Sequence, residues 1–292
     1  MNTKYNLFPN YFDQQFDLSV NQKTLVIGIG GGSDIVGAFG IASILKSKSP
    51  EIIIEYALCV SKKENYNGFK QINHFLHKRT EKNVDNKEIS PSLILANKMR
   101  EFDKHLPNPY LISRPKPSKE NQKEVTSAIN SALSEIKPKN IIAVDLGGDS
   151  LTCGMDGNEF GFDRTGIRAL QEIGIPFTYI VLGLGCDGES TKEMLQNAID
   201  REVEKGSVFG SFRMDKIIEQ MLPVSKNLLA EDRTPSIIAK AYSEIQKDNK
   251  KSFELSKIQR HRKPLIPNKW LITGIAFDGL KFSGKCKKTN NR

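Results

Sequence analysis

Residues 24–46 read TLVIGIGGGSDIVGAFGIASILK. Thr24 to Gly30 is a short apolar, β-rich run that ends in glycines. Ile35 to Lys46 follows it directly and reads as a helix. A strand that passes through a glycine turn straight into a helix is the first half of a βαβ unit. Gly37, Ala38, Gly40 and Ala42 keep that helix thin enough to lie close on a sheet.

Working outward, the same kind of apolar run recurs at Ile52–Cys59, Pro109–Ser113, Asn140–Asp145, Phe177–Leu182 and Lys269–Phe277. Continuous runs, as opposed to alternating ones, suit strands covered on both faces of a parallel sheet. Between them lie helical signals. Val125, Ile129, Leu133 and Ile136 make one stripe across Glu124–Ile136. Gly166–Ile173 is a shorter helix. Ser190-Thr-Lys-Glu193 reads as a capping box ahead of Met194, Leu195, Ala198, Ile199 and Val203. Thr234-Pro235 begins a helix to about Ile245. Residues 61–108 read as a helical insertion, with pieces at Gly68–Arg79 and Pro91–Phe102. The expected fold is α/β, a Rossmann-like doubly wound, mainly parallel sheet with that insertion and a C-terminal helical appendage. One domain over 1–292 is expected, with its core at about 20–205 plus the strand near 269–277 and the appendage at about 205–268; two domains is the alternative.

Composition bounds the rest. The 292 residues are 38% hydrophobic and 26% charged, enough apolar mass for a core and too much for a disordered chain. No apolar run reaches the ~18 residues of a membrane helix, and the polar, aromatic N-terminus lacks a signal-peptide pattern. Cys59, Cys153, Cys186 and Cys286 form no C-x-x-C pair, which argues against a zinc ribbon or a disulfide scaffold and points to a reduced cytoplasm. The net charge of +9 is unevenly spread: Lys250 to Arg292 hold 12 Lys/Arg against two acids. That segment is either a solvated tail or a basic surface for nucleic acid or an anionic membrane. No aromatic residues interleave with its charges, and no nucleic-acid motif occurs, so the solvated tail is the preferred reading.

Three glycine–acid turns carry the functional signal. The first, Gly28-Ile-Gly-Gly-Gly-Ser-Asp34, joins strand to helix. It departs from the dinucleotide fingerprint at Ser33 and lacks the G-K-[ST] of a P-loop. Bare backbone at Gly28, Gly30, Gly31 and Gly32, with Ser33 and Asp34 at a helix N-terminus, suits an anion; the alternative is a tight turn capped by Ser33 and Asp34. The second, Asp145-Leu-Gly-Gly-Asp-Ser150, sets Asp145 and Asp149 around Gly147 and Gly148. Two acids on one turn can hold Mg²⁺, orient a ribose or act as base. The third, Gly183-Leu-Gly-Cys-Asp-Gly-Glu-Ser190, offers Gly185 and Asp187; its acids also suit a helix's first turn. In an open α/β sheet, ligands bind beyond the carboxyl ends of the strands where the strand order reverses. With the order 3-2-1-4-5, all three turns would line one pocket.

The stretches IGIGGGSDIVGAFGIASIL, AVDLGGDSLTCGMDG and VLGLGCDGES resemble a family of uncharacterised archaeal and bacterial proteins defined as a domain of unknown function. The resemblance covers roughly residues 20–205, with Ser33 standing where a glycine is usual. It implies the fold and the site and supplies no reaction.

The resulting expectation is a cytoplasmic enzyme, a transferase or hydrolase acting on a nucleotide, sugar phosphate or related anionic metabolite, with Mg²⁺ as cofactor. Asp149 and Asp187 are the candidate catalytic residues. Asp145 and Asp149 are the candidate metal ligands, and Gly28, Gly30–Asp34, Gly147, Gly148 and Gly185 line the ligand. A non-catalytic metabolite-binding regulator is the alternative. A classical dehydrogenase is disfavoured, because the second strand ends Leu58-Cys59-Val60-Ser61 without the ribose-binding acid. His74 and His77, three apart on an expected helix, lack a third ligand. Cys186 lacks a base to make it a nucleophile, and Cys153 reads as a small packed residue. Tyr5, Phe8, Tyr11, Phe12 and Phe16 are expected to pack an N-terminal arm on the domain or on a second subunit of a homo-oligomer.

Overall fold

The computed structural model describes residues 22–62, 66–80, 91–154, 156–247, 252–254 and 265–284. The aromatic N-terminal arm and, apart from Lys269 and Lys281, the Lys/Arg residues of the basic C-terminal segment lie outside the described residues. In chain order the first half comprises β1 (Lys23–Gly28), α1 (Asp34–Lys48), β2 (Ile53–Ser61), β3 (Phe69–Gln71), β4 (Leu76–Arg79), α2 (Pro91–Lys98), β5 (Tyr110–Arg114), α3 (Gln122–Ile136) and β6 (Asn140–Leu146). The second half comprises α4 (Asp149–Thr152), α5 (Phe162–Ile173), β7 (Thr178–Leu182), α6 (Lys192–Glu204), β8 (Val208–Arg213), α7 (Asp215–Leu228), α8 (Thr234–Gln246), β9 (Ser252–Glu254), β10 (Leu265–Pro267), α9 (Asn268–Leu271) and β11 (Thr273–Asp278).

Among the described residues, nine strands form one sheet in the order β3-β4-β5-β2-β1-β6-β7-β11-β8. Its centre, β5-β2-β1-β6-β7, is parallel throughout. These are the first five strands read from the sequence, in the 3-2-1-4-5 order, so the chain reverses its direction of travel between β1 and β6. Their apolar runs are buried because helices cover both faces. Helix α1 is apolar nearly all round, with every residue from Asp34 to Leu45 buried. A helix of that kind must be enclosed on both sides. A Cβ at Gly37 would come within 3.0 Å of Val144, and one at Gly40 within 3.0 Å of Met221 on α7. The small residues thus let α1 sit between the sheet and α7.

The margins differ from the sequence expectations. Gly68–Arg79 is not a helix; it forms an antiparallel hairpin, β3–β4, that extends the sheet from β5. The Asn73 side chain accepts from the N–H groups of Phe75 and Leu76, a local turn that competes with helix formation. His74 and His77 are therefore on a hairpin. Within the expected C-terminal helices, Val208–Arg213 is the edge strand β8, while α7 and α8 are helical as read. The sixth strand begins only at Thr273, after the short α9, and runs antiparallel between β7 and β8. The cap of α6 is Thr191, whose hydroxyl accepts from Met194 N at 3.2 Å, one residue beyond the expected Ser190. Cys59 and Cys186 are buried. Cys153 is buried as expected but disulfide-bonded, so it is not a plain packed thiol. Among the described residues, no helix is long and apolar enough to cross a membrane.

Candidate functional site

The carboxyl ends of β1, β6 and β7 lie side by side, so the three glycine–acid turns that follow them share one rim of the sheet. Two contacts show how closely they meet. A Cβ at Gly147 would collide with the Asp187 carboxylate, and Gly147 has φ +122°, which glycine adopts without strain. A Cβ at Gly30 would collide with the carboxylates of Asp34 and Asp163. The second turn is tied to the third by Gly185 N, which donates to Gly147 O at 2.6 Å.

Asp34 stitches the crevice. It lies in the first turn of α1, yet it does not cap its own helix. Its Oδ2 accepts from Gly30 N at 2.9 Å and its Oδ1 from Leu146 N at 3.2 Å, across the gap between β1 and β6. Ser33 stands at the N-cap position without a side-chain cap bond. Gly28 packs against the backbone of Asp34 and Ile35, and Gly30 has its N–H engaged. Gly31, Gly32 and Ser33 are partly exposed at the rim.

Asp145 is 1% exposed. Its carboxylate accepts from Tyr179 OH at 2.8 Å, from the Ser150 hydroxyl, and from Gly148 N at 3.4 Å. Asp149, on the same turn, and Asp187, on the next, are partly exposed. Asp187 Oδ1 accepts from Glu189 N at 2.8 Å, whereas its Oδ2 is buried with no hydrogen-bond partner among the described residues.

Sequence reading missed two members of this rim. Asp163, in the first turn of α5, brings a carboxyl against Gly30 and Asp34, close enough for the two carboxyls to share a hydrogen bond when one is protonated. The signal for it was an acid at a helix start just past a glycine-rich stretch, Gly154 to Gly161. Arg114, the last residue of β5, is fully buried; its signal was a charge ending an apolar strand on the same edge.

The carboxylates raise one another's proton affinity. Burial, followed by the charge of Asp145, pushes Asp34 well above the usual carboxylate range. Asp163 is raised by burial and by the charges of Asp34 and Asp145. Asp149 is raised by burial and by Asp163, Asp145, Asp187 and Glu189. Burial lifts Asp145 as well, against the hydroxyls of Ser150 and Tyr179. Asp187 is pushed up to about 7, chiefly by burial. The Cys186 thiol is also pushed up by burial and then by Asp187, the opposite of an activated nucleophile.

Asp34, Asp145 and Asp163 each offer a carboxylate oxygen, and the three oxygens lie within 4.8 Å of one another. Like charges at that spacing do not ionise together unless protons or a cation intervene. An all-oxygen, all-carboxylate donor set suits a hard divalent cation such as Mg²⁺ or Mn²⁺. The trio differs from the pair expected from sequence: Asp145 is in it, while Asp149 is not, although the charges of Asp163 and Asp145 act on it.

Comparison with known proteins places the chain in a family without an assigned activity. Residues 63–243 match the family model described as protein of unknown function (DUF1152). The match takes in the second and third turns and leaves out the first, so it begins and ends later than the expected 20–205. No curated protein matches the chain. Among solved structures, a UDP-GlcNAc 2-epimerase from Neisseria meningitidis bound to UDP-GlcNAc aligns at 13% identity and a TM-score of 0.32, over 77% of this chain and 50% of that one. The chain thus spans about half the length of that protein.

Proposed function

The chain belongs to the DUF1152 family of proteins of unknown function, and we propose that it is an enzyme acting on a phosphorylated or ribosyl metabolite, such as a nucleotide or sugar phosphate. The metabolite would lie at the carboxyl edge of the sheet with a divalent cation beside it. One observation carries this reading: buried carboxylate oxygens from three separate elements converge where the strand order reverses, next to the bare backbone of Gly31 and Gly32. That edge is where open α/β sheets bind ligands. A rim of acids alone would repel an anion; a cation held by them reverses the sign of the field.

In this reading Asp34, Asp145 and Asp163 would hold the cation, which would supply Lewis-acid stabilisation of negative charge on the ligand. Gly31, Gly32 and Ser33, at the N-terminus of α1, approach the anion with backbone. Asp187, with its Oδ2 unengaged and its proton affinity near neutrality, takes or returns a proton as general base. Asp149, between Asp163 and Asp187, orients the reacting group. Hydrolase and transferase chemistry share these roles.

A thermal-shift panel of nucleotides, sugar phosphates and nicotinamide cofactors, each with and without Mg²⁺, tests the reading. A true ligand at a hundredfold excess over its dissociation constant stabilises by about 2.7 kcal/mol. The gain should need Mg²⁺ and should disappear in Asp149→Asn while that variant keeps its fold. An Asp149→Asn protein stabilised by every ligand that stabilises the parent would remove Asp149 from the site. Turnover of the bound ligand separates an enzyme from a metabolite-binding regulator.

A further inference from the structure

Arg114 is the largest fully buried side chain among the described residues, at 0% exposure. Burying a guanidinium costs several kcal/mol unless its donors are engaged. One terminal nitrogen donates to two carbonyls from segments far apart in sequence: Ile29 O at 3.1 Å, in the first turn, and Phe162 O at 2.6 Å, at the start of α5. The other donates to Thr165 Oγ1 at 3.4 Å, one turn further along α5. The guanidinium carbon sits 4.4 Å from the centroid of the Phe162 ring. Ile29 is followed by Gly30, and Phe162 by Asp163. These are the residues whose close approach brings Asp163 onto the Asp34 carboxylate. The backbone of Arg114 is itself fixed, pairing with Ser61 on β2 and accepting from Lys62 N at 2.7 Å. No ion pair joins Arg114 to either acid among the described residues.

We propose that Arg114 is a positioning residue for the cation site: it clamps the β1 turn to the start of α5 and thereby sets the spacing of the Asp34 and Asp163 oxygens. The inference rests on the cation reading of the trio above. Its sign separates it from a plain charge effect. A buried positive charge near a cation site weakens cation binding by repulsion, so its removal alone would tighten binding. Loss of a clamp weakens binding, because the oxygens no longer converge. Partners that orient metal ligands are typically worth about 10–100-fold in affinity.

The experiment is calorimetric titration of the full chain with Mn²⁺ alone, in the parent and in Arg114→Met and Arg114→Lys. Near-UV circular dichroism confirms that each variant is folded. The expected result is a loss of about tenfold or more in Mn²⁺ affinity for Arg114→Met. Arg114→Lys should weaken binding too, since an ammonium keeps the charge but lacks the planar fork that bridges two carbonyls. Unchanged or tighter binding in a folded Arg114→Met overturns the inference and leaves the cation site standing. A parent that binds no Mn²⁺ overturns the cation reading first and the clamp with it. Should Arg114→Met not fold, Phe162→Leu decides. It removes the ring against the guanidinium and keeps the carbonyl, so weaker Mn²⁺ binding supports the clamp and unchanged binding overturns it.

Discussion

Along β6, Ile141, Ile142, Ala143 and Val144 are apolar and between 0% and 3% exposed; the next residue, Asp145, is just as buried and carries a carboxylate. The change occurs within a single step of one strand. On the neighbouring β7, Asp145 pairs in register with Val181, so nothing about the sheet itself calls for an acid there. Below that line each buried aliphatic side chain stabilises the fold by about 1.5–3 kcal/mol. Above it, Asp34, Asp145 and Asp163 are desolvated and crowded together, an arrangement that opposes folding. Interior and rim are thus built to different ends. The interior holds the sheet, and the rim stores unfavourable electrostatics that a bound cation would relieve.

That contrast can be tested from both sides. The largest effect is expected at the rim: Asp163→Asn should abolish Mn²⁺-dependent thermal stabilisation, while the metal-free protein melts no lower than the parent because one crowded charge is gone. A metal-free variant that melts well below the parent would mean that Asp163 serves the fold. In the interior, Ile142→Ala should cost about 2–5 kcal/mol by denaturant titration and leave the Mn²⁺ affinity of the folded protein unchanged. A change in affinity would show that core and rim are coupled.

The pH dependence is subtler. An unfolded Asp titrates near about 3.9, whereas Asp187 in the folded chain is pushed up to about 7 and its neighbours are raised as well. Between those values the folded state binds more protons than the unfolded one. In chelator, stability should therefore fall as pH rises from about 4 through 7. Mn²⁺ should reverse the trend, since carboxylates bind metal in their ionised form. Asp187→Asn should flatten the metal-free slope; an identical slope would place the responsible proton elsewhere. The smallest effect belongs to the cap of α6, where Thr191→Ala should cost about 1 kcal/mol with no change in the pH slope.

The central sheet was legible because its five strands are short, mainly apolar runs set between helical signals, and because each of β1, β6 and β7 ends in glycine beside acid. Helix α3 was legible from its single stripe. The β3–β4 hairpin was not: strands of three and four residues, built from Phe69-Lys-Gln71 and Leu76-His-Lys-Arg79, are too short and too charged to show a period of two. Asp163 and Arg114 escaped for a different reason. Each carries only a weak local signal, a charge at the end of a strand or the start of a helix, and only tertiary packing discloses that it is buried beside acids from elsewhere in the chain.

The place of β11 has a consequence for how the protein is made. This strand is hydrogen-bonded to β7 on one side and β8 on the other, yet it is synthesised after both. Until it emerges from the ribosome, β7 and β8 each present an unpaired edge of the kind that recruits other chains. The nascent protein therefore passes through a stage, after β8 and before β11, at which β7 and β8 lack the strand that joins them, and truncation before Thr273 should yield insoluble material even though the residues of the candidate site have been made.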